Sequence, residues 1–113
     1  MYKQGEIVLV PFPYSDLSAS KRRPALVVVS NNLYNGRFPD IVVCVITSNL
    51  YKDNFSVELN DNNLQSGILP ESSIIKCHNL FTIEQSRIIK KFSKVKDDKL
   101  KEAISMLHNL FQN

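Results

Sequence analysis

The sequence predicts a mainly β domain: a small, strongly curved antiparallel sheet forming a partly open barrel, with one C-terminal helix against it. Three observations carry this expectation. Short β-branched segments separated by turn residues fill the first two thirds of the chain. No interval between them holds a crossover helix, so neighbouring strands should pair antiparallel. After Asp97 the apolar period changes from that of a strand to that of a helix.

The expected strands are Glu6–Phe12, Pro24–Ser30, Ile41–Thr47, Ser56–Leu59, Gly67–Leu69 and Ser73–Cys77. Turn residues lie between them: Pro11, Pro13, Ser15 and Asp16, then Asn31, Asn32, Asn35 and Gly36, then Asp61, Asn62 and Asn63. Arg87–Val95 alternates without declaring a core face, since Ile88 and Phe92 would point one way and Ile89 and Val95 the other. The helix begins with Asp97 or Asp98 as cap. Leu100, Ile104, Leu107 and Phe111 form its apolar stripe, widened by Ala103 and Leu110.

With 113 residues, of which 43% are hydrophobic, residues 1–113 read as one domain. Such a chain buries roughly 65% of its unfolded surface, enough for a core without disulfide or metal staples. No apolar run approaches the ~20 residues that span a bilayer, and Glu6 interrupts any basic-then-apolar leader, so a cytoplasmic protein with no membrane contact is expected. Cys44 and Cys77 stand alone in apolar runs and read as reduced, buried thiols. The two cysteines and two histidines lack ligand spacing, and no metal or other cofactor is expected.

Fourteen Lys and Arg against eleven Asp and Glu give a net charge of only +3, so the placement of charge says more than its sum. Arg87, Lys90, Lys91, Lys94, Lys96, Lys99 and Lys101 supply half of the cations and read as a solvated strand and helix face. Lys21-Arg22-Arg23 is a second cluster, placed in a loop that ends where Pro24 starts a strand. An arginine there either presents its planar fork to a phosphate or pairs with an acid as a strand-entry residue.

No nucleophile elbow, phosphate loop or dinucleotide fingerprint occurs, which removes most hydrolases, kinases and oxidoreductases. What remains is polar chemistry at strand ends. Thr47-Ser48-Asn49 follows an apolar strand and is either an ordinary turn or a pair of hydroxyls at a site. In Lys76-Cys77-His78, alternation sends Cys77 to the core and Lys76 and His78 to the other face. His78 is there a surface imidazole or a proton-transfer group, whereas His108 lies on the helix and has no evident role.

Gly5-Glu6-Ile7-Val8-Leu9-Val10-Pro11-Phe12-Pro13, Arg23-Pro24-Ala25-Leu26-Val27-Val28, Val45-Ile46-Thr47-Ser48 and Leu80-Phe81-Thr82-Ile83 resemble, in order and spacing, the MazF/PemK family of toxin endoribonucleases. The resemblance implies an SH3-like, CcdB/MazF-type barrel with a C-terminal helix, working as a homodimer. It implies the toxin of a type II toxin–antitoxin pair that cleaves single-stranded RNA such as mRNA without a metal. The products would be a 2′,3′-cyclic phosphate and a 5′-hydroxyl, and translation and growth would be inhibited.

By the same resemblance Arg23 contacts the scissile phosphate and Thr47 hydrogen-bonds and orients it, with Ser48 as its neighbour. Lys76 and His78 stand where several members carry a basic residue and an acid. Ser18, Ser20, Lys21 and Arg22 belong to a first loop that grips the RNA backbone, and Phe12, Tyr14 and Phe81 either stack bases or pack. The implied partners are a cognate antitoxin covering the groove lined by Lys21–Arg23 and Lys76, and operator DNA only through the toxin–antitoxin complex. The competing reading is a non-catalytic barrel of the same fold that binds antitoxin, nucleic acid or gyrase without cutting RNA.

Overall fold

Six antiparallel strands form a single sheet in a computed structural model that describes residues 2–12, 21–29 and 40–112. The strands are β1 (Glu6–Phe12), β2 (Lys21–Val27), β3 (Asp40–Thr47), β4 (Ser56–Leu59), β5 (Ser73–Glu84) and β6 (Lys90–Lys94), followed by helix α1 (Asp97–Leu110). Their order across the sheet is β4-β5-β3-β2-β1-β6, and the sheet curls into a half-barrel. The expected turns at 13–16 and 31–36, with Tyr14, Ser18 and Ser20, lie outside the described residues.

Both faces of the central strands are apolar. Ile7, Leu26, Cys44, Ile46, Ile75 and Cys77 point to the side covered by Ala103 and Leu107 of α1. Val8, Val10, Ala25, Val27, Ile41 and Val43 point to the other side, where Ile83 and Ile88 join them. A strand buried on both faces needs apolar residues at every position, which is why Ile7–Val10 of β1, Ala25–Val27 of β2 and Ile41–Ile46 of β3 are unbroken hydrophobic runs. Among the described residues no helix is long and apolar enough to cross a membrane.

Several sequence expectations are corrected, beginning with β2, which spans Lys21–Val27 rather than Pro24–Ser30. β2 starts at Lys21, because β1 stays extended to Phe12 and pairs with Lys21, Arg22 and Arg23, so these cations lie on a strand and not in a loop. Pro24 sits inside β2 opposite Leu9, where pairing with β3 has not yet begun; it runs only from Ala25 to Val27. Gly67–Leu69 is not a strand, for the Leu69 N–H is taken by Asp61 Oδ1 at 2.7 Å rather than by a ladder.

β5 does not end at Cys77 but continues to Glu84. Cys44 faces Leu80 while the next residue, Val45, faces Lys76, so Cys77, His78 and Asn79 bulge out of the pairing with β3. The Cys77 N–H is satisfied instead by the Phe55 carbonyl at 3.1 Å. The bulge breaks the period of two, and the continuation of the strand is hidden from any alternation rule.

At β6 a register shift between Ile7 and Val8 interrupts the alternation in the same way. Ile88 joins one core, while Phe92 and Val95 join the other. The helix is capped by Lys96 and not by an aspartate side chain; Asp97 and Asp98 occupy its first turn, where carboxylates favour the helix dipole. Ala103 and Leu107 are buried and Leu100, Ile104 and Leu110 half-buried. Phe111 leaves the stripe, because the helix ends before it and the side chain is 72% exposed.

Gly5 enters β1 with φ +92°, and a Cβ there would stand 3.3 Å from Leu100 Cδ2. Gly5→Ala is expected to lower stability by about 1–2 kcal/mol, the cost of a left-handed alanine, read as a lower urea midpoint with an unchanged slope.

Candidate functional site

The polar residues singled out in the sequence gather at the end of the sheet where β3 leaves the core. Paired residues share a face, and Ala25, Val45, Lys76 and Ser56 form one row across β2, β3, β5 and β4. Continuing the β2–β3 register by two residues sets Arg23 across from Thr47. Arg23, Thr47 and Lys76 therefore emerge on one face, the face opposite the helix.

Arg23 is half-buried and opposite Val10, Arg22 is exposed and opposite Pro11, and Lys21 lies opposite Phe12 at the strand's beginning. Thr47 is half-buried, and its Oγ1 accepts the Asn49 N–H at 3.1 Å. Asn49 Oδ1 in turn accepts the Tyr51 N–H at 3.2 Å. The segment is thus a hydroxyl-led turn, and the Thr47 hydroxyl still has its own proton to donate to an oxygen on that face. Exposed Ser48 lines a cavity of about 170 Å³ with Leu9, Pro24, Leu69 and Phe92.

The expected facing of Lys76, Cys77 and His78 matches what is observed: Cys77 is buried, Lys76 half-buried and His78 exposed. What sequence reasoning missed is the group they share. Asp53, in the β3–β4 loop, places Oδ2 3.4 Å from Lys76 Nζ and 3.6 Å from His78 Nε2. Its Oδ1 accepts the Phe55 N–H at 2.9 Å and the Ser56 hydroxyl at 2.8 Å. Lys76 Nζ also donates to the Tyr51 carbonyl at 2.8 Å and lies 5.5 Å from the centre of the Tyr51 ring, which is itself 74% exposed. The only signal for Asp53 in the sequence is an Asp-Asn-Phe-Ser turn, which says nothing of a partner 25 residues away.

The Phe55 N–H, followed by the Ser56 hydroxyl, the electrostatic attraction of His78 and the hydrogen bond from Lys76, holds the Asp53 carboxyl below its ordinary value against a smaller opposing effect of burial. In the core, the hydrogen bond with Cys77 and burial push the Cys44 thiol up, so it stays a neutral thiol. Both cysteines are free and buried, as expected. Among the described residues no three His, Cys, Asp or Glu side chains converge as metal ligands would.

Of the C-terminal cations, Lys91 pairs with Glu6 at 3.1 Å and Lys99 with Glu102 at 2.8 Å. Lys90, Lys96 and Lys101 are exposed, as the solvated-face reading of that run expects, whereas Lys94 is half-buried and Lys99 is buried. Phe81 packs on the apolar face opposite the helix and lines a cavity of about 430 Å³ with Pro11, Asp40, Glu84 and Arg87. Exposed His108 sits in the last turn of α1, away from this end of the sheet.

Residues 3–111 match the family described as PemK-like, MazF-like toxin of type II toxin–antitoxin system. A comparison with curated proteins returns no match. Among solved structures, the chain is similar to an endoribonuclease in complex with its cognate antitoxin from a mycobacterial species, with TM-score 0.77 and 16% identity over 96% of this chain and 93% of that one. It is similar to MazF from Deinococcus radiodurans, with TM-score 0.73 and 26% identity over 96% and 94% of the two chains. The MazE–MazF complex of the same organism gives TM-score 0.75 and 24% identity at the same coverage.

A carboxylate whose folded-state pKa is depressed adds stability above its unfolded value of 3.8 and loses it as pH falls through the folded value. Asp53→Asn should therefore lower the thermal midpoint at pH 7, and the difference from the parent protein should vanish in acid well below pH 3.8. Melts across that range check it.

Proposed function

The chain belongs to the PemK-like, MazF-like toxins of type II toxin–antitoxin systems, endoribonucleases by activity, and from that premise we propose how its own residues cleave RNA. The observation that carries the reading is the convergence of Arg23, Thr47 and Lys76 on one face of the sheet, with His78 beside them through Asp53.

The substrate is single-stranded RNA such as mRNA. The ribose 2′-hydroxyl attacks the adjacent phosphorus, the 2′-oxygen–phosphorus bond forms, and the bond to the 5′-oxygen breaks. The products are a 2′,3′-cyclic phosphate and a 5′-hydroxyl, and no metal takes part.

The phosphorane carries more negative charge on its non-bridging oxygens than the ground-state phosphate does. A guanidinium offers two parallel N–H donors to those oxygens and keeps its charge at any working pH, so Arg23 stabilises the transition state more than the substrate. The Thr47 hydroxyl donates to the same phosphate and fixes its orientation against the attacking oxygen. His78, placed on the Lys76 side of β5, removes the 2′-hydroxyl proton.

Ser18, Ser20, Lys21, Arg22 and Ser48 contact the RNA backbone flanking that phosphate. The working unit is a homodimer of this one domain in the cytoplasm, and cleavage of mRNA stops translation and growth. A cognate antitoxin with an acidic segment covers the cationic face, and operator DNA is bound only through that complex.

Incubation of the pure protein with end-labelled single-stranded RNA in EDTA should yield 2′,3′-cyclic phosphate ends. Arg23→Ala should lower the rate by about 10²–10³-fold, and Arg23→Lys should not restore it, because an ammonium lacks the fork. Undiminished cleavage by Arg23→Ala would sink the assignment, and no cleavage of any RNA by the parent protein would leave a binding protein in its place.

Thr47→Val removes the hydroxyl at nearly constant volume. It should cost about tenfold in rate, the weight of one hydrogen bond of about 1.4 kcal/mol, with the melting temperature shifted little.

A further inference from the structure

The β3–β4 loop sets a carboxylate against the imidazole that the proposed reaction uses. We propose that Asp53 is the positioning residue of His78: it holds Nε2 through its Oδ2, so that Nδ1 is the nitrogen presented to the 2′-hydroxyl. This rests on the reading of the chain as an endoribonuclease that employs His78.

The two oxygens of Asp53 have separate tasks. Oδ1 is spent on the loop, accepting the Phe55 N–H at 2.9 Å and the Ser56 hydroxyl at 2.8 Å, while the Asp53 N–H returns to Ser56 Oγ at 3.3 Å. Ser56 is the β4 residue paired with Lys76, so the register of β4 on β5 places this loop over the Lys76–His78 side of the strand. Oδ2 then faces Lys76 Nζ at 3.4 Å and His78 Nε2 at 3.6 Å. Lys76 is itself tied to the Tyr51 carbonyl at 2.8 Å, and the Phe55 ring stands 6.4 Å from the imidazole, tilted 54° to it. The carboxylate is thus fixed from behind before any substrate arrives.

The surrounding charges leave this pairing to Asp53. Glu58 on β4 is engaged by Lys52, and Glu102 on α1 by Lys99 at 2.8 Å. Lys76, from the same strand as His78, brings a positive charge to the same Oδ2.

Chemically, a base that gains a proton in the transition state becomes an imidazolium, and a carboxylate at its far nitrogen stabilises that charge and fixes the ring. The proton passes from the 2′-hydroxyl to Nδ1 as the 2′-oxygen–phosphorus bond forms. The departing 5′-oxygen takes a proton from water, and the imidazolium returns its own to solvent. Asp53 stays ionised throughout.

The test is single-turnover and steady-state cleavage of one labelled RNA by the parent protein, Asp53→Asn, Asp53→Glu, His78→Gln, the Asp53→Asn/His78→Gln double variant and Arg23→Ala. Thermal melts establish that each is folded, and Asp53→Glu, which keeps the carboxylate, stands in should Asp53→Asn unfold. Asp53→Asn is expected to lower kcat by about 10- to 100-fold, part of the 10²–10⁴ that a general base contributes, with KM changed less than about twofold.

Asp53→Glu should recover part of the rate, and the double variant should be no slower than His78→Gln alone. The inference is overturned if the Asp53→Asn loss persists undiminished in the His78→Gln background, or if it falls on KM alone. It also falls, with the endoribonuclease reading intact, if Asp53→Asn cleaves at the parent rate while Arg23→Ala is inactive. If Arg23→Ala and His78→Gln both cleave like the parent, the site assignment itself falls and this inference with it.

Discussion

The bulge in β5 at Cys77, His78 and Asn79 is the feature on which most of the molecule's geometry turns. A strand of twelve residues paired along its whole length with β3 would be a stiff ribbon; three unpaired residues let it bend and strengthen the local twist. Before the bulge β5 pairs with both β3 and β4 and meets the loop that carries Asp53, while beyond it β5 pairs with β3 alone and leads on towards β6. His78 stands in the unpaired stretch, so its side chain is aimed by the bulge and not by the regular pleat.

Among the described residues the sheet has two apolar faces and one α-helix. Helix α1 covers the Ile46, Ile75 and Cys77 side, and the opposite side is covered in part by the chain's own passage through Gln85–Ile88, which brings Ile88 onto Val8 and Val10. The polar groups Arg23, Thr47 and Lys76 rise at the rim of that second face. A rigid, doubly packed sheet below them fixes their positions relative to one another. The net charge of +3 says little about this rim, since cations such as Lys91 and Lys99 are paired elsewhere with Glu6 and Glu102.

Much of the fold was legible because it depends on local pattern. β1, β3, β4 and α1 agree with the sequence reading to within a residue or two at their ends, since continuous β-branched runs and a 3.6-residue stripe are each sufficient signals. The start of β2, the length of β5 and the facing of β6 were not legible. Each is set by a partner strand: β1 extends the ladder to Lys21, β3 recaptures β5 after the bulge, and the shift at Ile7 and Val8 resets β6. Phe111 looked like core because the helical period passes through it, but the helix stops one residue short.

The sequence by itself determined the class of fold and the chain's kinship, and it singled out Arg23, Thr47, Lys76 and His78 as candidates, because residue type and spacing along a strand are local properties. Only the tertiary structure decided which of these groups share a face, and that an aspartate from a distant loop stands behind two of them. The reason is physical. A cross-strand register and a carboxylate's choice of partner are settled by the packing of the whole sheet, and neither leaves a trace in the few residues on either side of Asp53.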